Sequence, residues 1–366
     1  FFMELVMQDN SMSRWLSPLM AFCLSFIIIA GLAPSLDIQI DRQIDFWLLW
    51  LGTMLLLALP IGYLEVALAK RSKTTALNAL STLTRDADAS QRWRIVGWLA
   101  VVFIPFLAGG VLFNISQMAL HGTTFAAQAA LVLIALAIVA LLLSYLPRQI
   151  LILLTAVAAI ASLILANVLG AALQPWHLTT IEFKEWGNAT ILALVASGLG
   201  LGLYWQTNLS QIQQQEQSSK TVLPIWVAQL IAVIAFGYFA MSTQIPAYSM
   251  TCAAVAAAAL MLQLAREQLA QRQIAVIIQI PLLLVALLVW AIPHLSTILN
   301  PILMLWGLVI CLIYSIFAGW VMKISHLRKA MGFSNEIFYN LWRIAVRIVL
   351  PLSIVLAMIS FIGQLI

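Results

Sequence analysis

Ser197-Gly198-Leu199-Gly200-Leu201-Gly202 lies near the middle of a long apolar segment and places glycine at three alternate positions. Glycine inside a helix costs roughly 1 kcal/mol relative to alanine, so a regular helix is disfavoured over this hexapeptide. The stretch predicts either a break in a helix or a surface of small residues against which a neighbouring helix packs closely. Of these two interpretations, the break is preferred.

Long apolar runs recur on both sides of this hexapeptide. Apolar residues make up 63% of the 366 residues and charged residues 8%, and the mean hydropathy is +1.03. A water-soluble globule of this size needs more polar surface, and a membrane barrel would show short alternating segments instead. Because about 20 apolar residues cross the hydrocarbon core as a helix, the sequence predicts about eleven transmembrane helices, at residues 14–36, 45–69, 94–117, 126–146, 149–173, 188–208, 221–242, 247–264, 274–292, 299–322 and 337–365.

The basic residues predict an orientation for these helices. Of the 18 Lys and Arg residues, all but Arg42 and Lys184 fall on one side of the predicted bundle. The positive-inside rule makes that side cytoplasmic, with the N-terminus inside and the C-terminus outside. We expect an integral protein of a bacterial inner membrane. Because topology accounts for the net charge of +5, that charge indicates no nucleic-acid partner.

The residues that usually carry catalysis or bind metals show no such spacing here. Cys23, Cys252 and Cys311 all fall inside predicted helices and are interpreted as small core residues. The four histidines lie in loops or at helix ends. The sequence contains no phosphate loop, nucleophile elbow or zinc motif. We therefore expect a protein that is not an enzyme and that holds no cofactor.

The second predicted helix carries an acidic residue within the membrane. Glu65 ends the sequence Leu59-Pro60-Ile61-Gly62-Tyr63-Leu64-Glu65, about one turn from the cytoplasmic end of that helix. A carboxylate at this depth is costly unless it is paired, hydrogen-bonded or hydrated. It could be a proton-coupling or gating group. Alternatively, it could accept hydrogen bonds from the free N–H groups of the broken sixth helix.

Several motifs occur in an order that resembles the neurotransmitter:sodium symporter family. Residues 58–69 read Ala-Leu-Pro-Ile-Gly-Tyr-Leu-Glu-Val-Ala-Leu-Ala, which is similar to the family pattern Gly-Leu-Pro-Leu-x-x-x-Glu-x-x-Leu-Gly. Trp186 precedes Gly200-Leu201-Gly202 by fourteen residues, which resembles the entry to the family's broken sixth helix. Further similarities fall at Gln229 to Gly237, Thr251-Cys252, Arg272 to Ala275, and Trp342 to Pro351.

This resemblance implies an all-α LeuT-type fold, in which two inverted five-helix repeats are followed by a peripheral eleventh helix. The chain would be one transmembrane domain over residues 1–366, with repeats at 1–173 and 174–322 and a final segment at 323–366. The resemblance favours the capping role for Glu65. It also implies a substrate at the membrane midplane, against Ser197, Gly198, Gly200, Gly202 and Gly31.

The sequence departs from the family at the first helix and at the ion sites. The family breaks its first helix with a Gly-Asn-x-x-Arg-Phe-Pro-like signature that supplies sodium ligands, whereas this chain reads Phe26-Ile27-Ile28-Ile29-Ala30 at that depth. Sodium, like calcium, prefers several oxygen ligands, and the thiol of Cys252 is a soft substitute. Sodium coupling is therefore expected to be atypical or lost. The candidate ion-binding or coupling residues are Thr251, Cys252, Gln229 and Glu65.

Two functions are compatible with this sequence. The leading hypothesis is a secondary active transporter of the neurotransmitter:sodium symporter type that moves a small amino-acid-like or amine solute across the lipid bilayer. The alternative is a non-transporting structural or regulatory subunit, partnered by other membrane subunits in a larger complex. A continuous first helix whose Ile27, Ile28 and Ile29 fill the space beside the sixth helix would count against the transporter.

Overall fold

The computed structural model describes residues 2–36, 43–121, 123, 128–169, 175–207, 209–240, 246–333 and 335–366. These residues are mostly helical and form no strand, apart from one isolated bridge between Gln43 and His177. The helices are α1 (Phe2–Leu32), α2 (Ile44–Ser72), α3 (Ala76–Asp86), α4 (Ile95–Leu120), α5 (Ala129–Leu143), α6 (Arg148–Leu169), α7 (Phe183–Leu194), α8 (Leu203–Thr207), α9 (Leu209–Gln214), α10 (Ser219–Ile234), α11 (Ala247–Gln271), α12 (Val276–Leu288), α13 (Ser296–Ile316), α14 (Ile324–Met331) and α15 (Glu336–Leu365).

Eight of the described helices are long and apolar enough to cross a membrane. Two further apolar helices, Ala129–Leu143 and Val276–Ala291, are shorter. The predicted sixth span is divided, because α7 ends at Leu194 and helical structure resumes only at Leu203. The eight long helices, the two short helices and the divided span occupy the positions of the predicted helices. The total of eleven membrane crossings remains a prediction.

The outer surface of the bundle is apolar and therefore suited to lipid. Large apolar side chains on several helices are more than half exposed, among them Leu142, Leu153, Val168 and Ile277. A soluble monomer rarely exposes contiguous apolar surface on this scale. In hydrocarbon, by contrast, helices satisfy their own backbone and can present apolar side chains outward. The chain is accordingly an integral membrane protein.

Helix α11 lies at the centre of the bundle, where it packs against α4 and α6. Its residues 253–259 read Ala-Ala-Val-Ala-Ala-Ala-Ala, and all seven side chains are buried. Small side chains let helix backbones approach closely, and this close packing favours helix association in lipid. This alanine run explains how one helix can contact two neighbours over most of its length.

Two glycines on α4 make room for the large indole ring of Trp290. A Cβ atom at Gly109 would lie 2.6 Å from Cδ1 of Trp290, and one at Gly110 would lie 2.8 Å from its Cζ2. The indole is fully buried and donates its Nε1–H to the carbonyl of Phe106 at 3.0 Å. The two glycines thus form the recess that holds Trp290, and they fix how α4 packs against the end of α12.

Two short helices, α3 and α14, lie between the predicted transmembrane spans. On α3, Leu77, Leu80 and Leu83 are buried, whereas Arg85 and Asp86 are exposed. Helix α3 packs against α4, and α14 packs against α2. Both helices lie at the end of the bundle that carries most of the basic residues, which we call the basic end.

Candidate functional site

The predicted break in the sixth helix is confirmed. Between α7 and α8 the chain follows a series of turns over residues 195–202, and Gly198, Gly200 and Gly202 have φ angles of +69°, +78° and +77°. A residue with a Cβ atom adopts this left-handed region only at a cost of roughly 1–2 kcal/mol. The glycines therefore allow left-handed residues at three alternate positions, which no regular helix permits. We call residues 195–202 the broken segment.

Glu65, on α2, accepts hydrogen bonds from the broken segment. Its Oε1 accepts the N–H of Gly200 at 2.8 Å and the N–H of Gly202 at 3.4 Å. The residue is only 3% exposed. Because a broken helix leaves N–H groups without helical partners, this carboxylate satisfies two of them inside the membrane. The capping role predicted for Glu65 is confirmed.

A second polar centre forms around the carbonyl of Ser197. This oxygen accepts Nε2–H of Gln229 at 2.9 Å and the hydroxyl of Tyr204 at 3.0 Å. The Ser197 hydroxyl itself donates back to the carbonyl of Ala193 at 2.7 Å, so it is engaged within α7. The amide of Gln229 on α10 and the hydroxyl of Tyr204 on α8 thus both hold the first turn of the broken segment.

Tyr204 was not among the residues singled out from the sequence. The only local sign of a role for Tyr204 is its position two residues after the last glycine of the hexapeptide. This sign is weak, because an aromatic residue at the start of a helix is common. The structure gives it two polar contacts, with the Ser197 carbonyl and, at 3.4 Å, with Gln229. Ser197 lies in the broken segment, so this role of Tyr204 depends on the break itself.

The space at the centre of these groups is small. A cavity of about 10 Å³ lies between α2, α10 and the broken segment, and its polar lining comes from Glu65, Tyr204 and Gln229. Such a volume holds about one water molecule. In this conformation the cavity has no room for an amino acid or an amine, so solute binding there requires the surrounding helices to separate.

Helix α1 is continuous where the resembling family has a break. It runs from Phe2 to Leu32 through the Ile27, Ile28 and Ile29 positions, all of which are buried. An intact helix presents no free N–H or C=O group to a ligand. Gly31 lies inside α1, where an added Cβ would be 3.2 Å from the Cγ1 of Val111, so this glycine allows α1 to pack closely against α4. Helix α1 therefore offers a ligand an apolar, unbroken surface.

Aromatic rings fill the space between α1, α2 and the segment that follows α10. The ring centroid of Phe236 lies 6.2 Å from that of Trp50 and 6.4 Å from that of Phe26. Further from the basic end, Trp47 contacts Trp176 of the loop before α7 at 5.5 Å. These contacts close the bundle on the side opposite the basic end.

The four candidate ion residues do not form one site. Glu65 and Gln229 line the same small cavity, but both contact the broken segment. Thr251 donates its hydroxyl to the carbonyl of Ala247 at 2.8 Å, one turn earlier in α11. Cys252 is exposed, so the interpretation of this cysteine as a core residue is wrong; Cys23 and Cys311 are buried as expected. Thr251 and Cys252 do not line the cavity.

Within the described ranges, no group of three or more His, Cys, Asp or Glu side chains is placed to hold a metal ion.

Comparison with known proteins identifies the fold. No protein-family model matches the sequence, and a search of curated proteins found no match. Among solved structures, the chain is similar to the crystal structure of MhsT in complex with L-phenylalanine, with a TM-score of 0.56 and 16% identity. The similarity covers 95% of this chain and 98% of that chain. Because MhsT has the LeuT fold, the predicted LeuT-type fold is confirmed.

Proposed function

We propose that this chain is a membrane transporter of the neurotransmitter:sodium symporter type that moves a small, largely apolar amino-acid-like or amine solute. The observation that carries the proposal is the broken segment, whose amides converge on the buried Glu65 carboxylate. Irregular backbone at membrane depth is tolerated only where protein buries it or where it lines a cavity. Transporter folds place substrate sites beside such breaks.

The lining of the cavity restricts the solute. Glu65, Tyr204 and Gln229 are its only polar lining residues in the described part of the chain, and all three already have partners in the broken segment. A solute that enters when the helices separate meets mainly Ala58, Val66, Leu199, Val222 and Ile225. A small solute with one polar group fits this chemistry better than one with several charges.

The transport cycle would not use the sodium sites of the resembling family. Of the proposed ligands, Thr251 bonds within its own helix and Cys252 is exposed. Coupling to protons, or no coupling, is more consistent with this arrangement. We place the protein in a bacterial inner membrane, with the basic end and the N-terminus in the cytoplasm and the C-terminus outside, because the basic residues concentrate at one end of the bundle.

Transport can be tested with purified protein in liposomes. Uptake of labelled amino acids, amines and organic acids is measured under a sodium gradient, a proton gradient and no gradient. Tyr204→Phe removes the hydroxyl that holds the broken segment and should reduce uptake. Tyr63→Phe is a matched control, because its hydroxyl bonds to Ser219 outside the cavity. Folded wild-type protein that neither binds nor moves any of these solutes would contradict the proposal.

Sodium should leave the stability of the protein unchanged. A ligand that binds only the folded state raises its stability by RT ln(1 + [L]/Kd). We expect the same thermal unfolding midpoint in sodium chloride and in choline chloride at equal concentration. Thr251→Val should leave this comparison unaltered and change stability by less than about 0.5 kcal/mol. A rise in the unfolding midpoint that requires both sodium and Thr251 would contradict this prediction and indicate a sodium site of the family type.

The continuous α1 favours a second candidate, a non-transporting subunit of a larger membrane complex. Ile27 to Ile29 are buried in an unbroken helix at the depth where the resembling family breaks its first helix. Purification from native membranes in mild detergent separates the two candidates. A stoichiometric membrane partner, together with the absence of solute binding, would support the subunit. A monomer or homodimer that takes up solute would exclude it.

A further inference from the structure

A cavity of about 360 Å³ opens at the basic end, separate from the cavity beside Glu65. Its walls are the end of α2, the end of α9 with the segment that follows it, and α14. We call it the basic cavity. The charged and titratable residues that line it are Lys70, Arg71, Lys73, His326, Lys329 and Glu216.

The lining of the basic cavity is strongly cationic. Three lysines and one arginine face a single acidic residue, Glu216, among the described residues. Arg71 is paired with Asp86 at 3.0 Å, outside the cavity lining. Lys70 donates to the backbone carbonyl of Glu216 at 3.0 Å, so it does not use that residue's carboxylate in this contact. Like charges brought together in a concave site raise the local concentration of anions.

Backbone contacts hold the walls of the basic cavity together. The N–H and the hydroxyl of Ser218 donate to the carbonyls of Met331 and Ala330, each at 3.2 Å. Gly332 ends α14 with a φ of +60°, and a side chain there would overlap the carbonyl of Glu216. The segment after α9 is therefore fixed against α14.

Hydrogen bonds also fix the rim of the basic cavity at the end of α2. Lys73 follows the last turn of α2 with a φ of +56° and donates its N–H to the carbonyl of Ala69 at 2.9 Å. Gln213 Nε2 in turn donates to the carbonyl of Lys73 at 3.4 Å. These contacts fix the backbone that carries the lysines around one opening. The lysines therefore differ from ones scattered over a surface.

We propose that the basic cavity binds a phosphate-bearing anion, either the headgroup of an anionic phospholipid or a soluble phosphate. Lysine ammonium groups bind phosphate as point charges with several donors. Clusters of basic residues beside the membrane attract anionic lipid. A volume of about 360 Å³ lies within the usual range of small-molecule sites, about 300–1,000 Å³.

Because of where the basic cavity lies, a bound phosphate group would affect the broken segment. Lys70 lies on α2 only five residues after Glu65, and Gln213 and Glu216 belong to the segment that follows the broken segment. An anion that contacts Lys70, Lys73 and Lys329 would join α2 to α14, and α14 is hydrogen-bonded to this segment through Ser218. It would therefore stabilise the arrangement in which Glu65 caps the broken segment.

The proposal is tested on the full-length protein with two probes. Native mass spectrometry in detergent counts bound dioleoylphosphatidylglycerol against dioleoylphosphatidylcholine, and calorimetric titration measures binding of inorganic pyrophosphate. We expect saturable binding of at least one phosphate probe, with one site per chain. Binding should weaken at least tenfold in Lys73→Gln/Lys329→Gln, whose lysines are both exposed, and it should weaken as salt rises because exposed charges are screened.

Two further variants make the result specific. Lys70→Gln should also weaken binding, whereas Arg92→Gln should bind as the wild type does, because Arg92 is an exposed basic residue outside the cavity. Binding of the lipid alone identifies a headgroup site, and binding of pyrophosphate identifies a site open to soluble phosphate. The proposal is overturned if neither probe binds, if the lysine variants bind as the wild type does, or if Arg92→Gln weakens binding equally.

Discussion

Glu65→Ala is expected to lower the free energy of unfolding by about 3 kcal/mol or more, because each buried donor left without an acceptor costs about 1–3 kcal/mol. Two donors are affected, the N–H groups of Gly200 and Gly202. Alanine also leaves a void beside the cavity that Tyr204 and Gln229 line. The measurement is the thermal unfolding midpoint in detergent, followed by tryptophan fluorescence, with size-exclusion chromatography to confirm that the protein is monodisperse.

Glu65→Gln separates the hydrogen bonds from the charge. Its side-chain carbonyl can occupy the place of Oε1 and accept the same two N–H groups, so we expect less than half of the loss seen with alanine. A Glu65→Ala protein as stable as the wild type would show that the broken segment finds other acceptors, and the capping role would then be rejected. An equal loss for both substitutions would instead assign the effect to the negative charge.

The elements that local chemistry determines were predictable from the sequence. Alternate glycines at residues 198–202 cannot form a regular helix without cost, so the break could be predicted from the hexapeptide alone. A carboxylate at membrane depth needs donors, and the broken helix was the one predicted source of unsatisfied N–H groups. The sequence therefore links Glu65 to the break, although Glu65 and Gly200 are 135 residues apart in the chain.

The features that depend on which side of a helix faces lipid were not predictable. Residues 252–262 of α11 are apolar on all sides, so the sequence gives no sign that Cys252 is exposed while Met250 and Ala253 are buried. The partnership of Tyr204 with the Ser197 carbonyl depends on the path of the broken segment. The basic cavity unites residues from three segments separated by more than 100 residues, and no local pattern indicates that they meet.

Helix α1 departs from the family pattern in its structure as well as in its sequence. The residues Ile27, Ile28 and Ile29 have no polar group to stabilise a break, and β-branched side chains are well tolerated in an apolar, packed helix. In the structure they are buried in an uninterrupted helix. The LeuT-type fold therefore retains only one of the two breaks expected from the resemblance. Any solute site must be built from the broken segment against apolar neighbours.

Gly202→Ala is expected to destabilise the protein by about 3 kcal/mol, through two separable causes. The φ of Gly202 is +77°, and an L-residue with a Cβ atom in the left-handed region loses roughly 1–2 kcal/mol. In addition, the new Cβ would overlap the Cβ of Ala76, at the start of α3, and overpacking a buried site typically costs about 1–3 kcal/mol. Thermal and denaturant unfolding in detergent would measure the sum.

A double-mutant cycle with Ala76→Gly separates these two causes. Removing the Cβ of Ala76 relieves the overlap and leaves the left-handed strain, so the pair should recover about half of the loss, as a coupling energy of about 1–2 kcal/mol. Gly52→Ala is the matched control: it lies inside α2, and a Cβ there meets nothing within 4 Å. It should be neutral or stabilising by up to about 1 kcal/mol. If Gly202→Ala resembled Gly52→Ala, the broken segment would be able to adopt ordinary helical geometry, and the glycines would not determine the break.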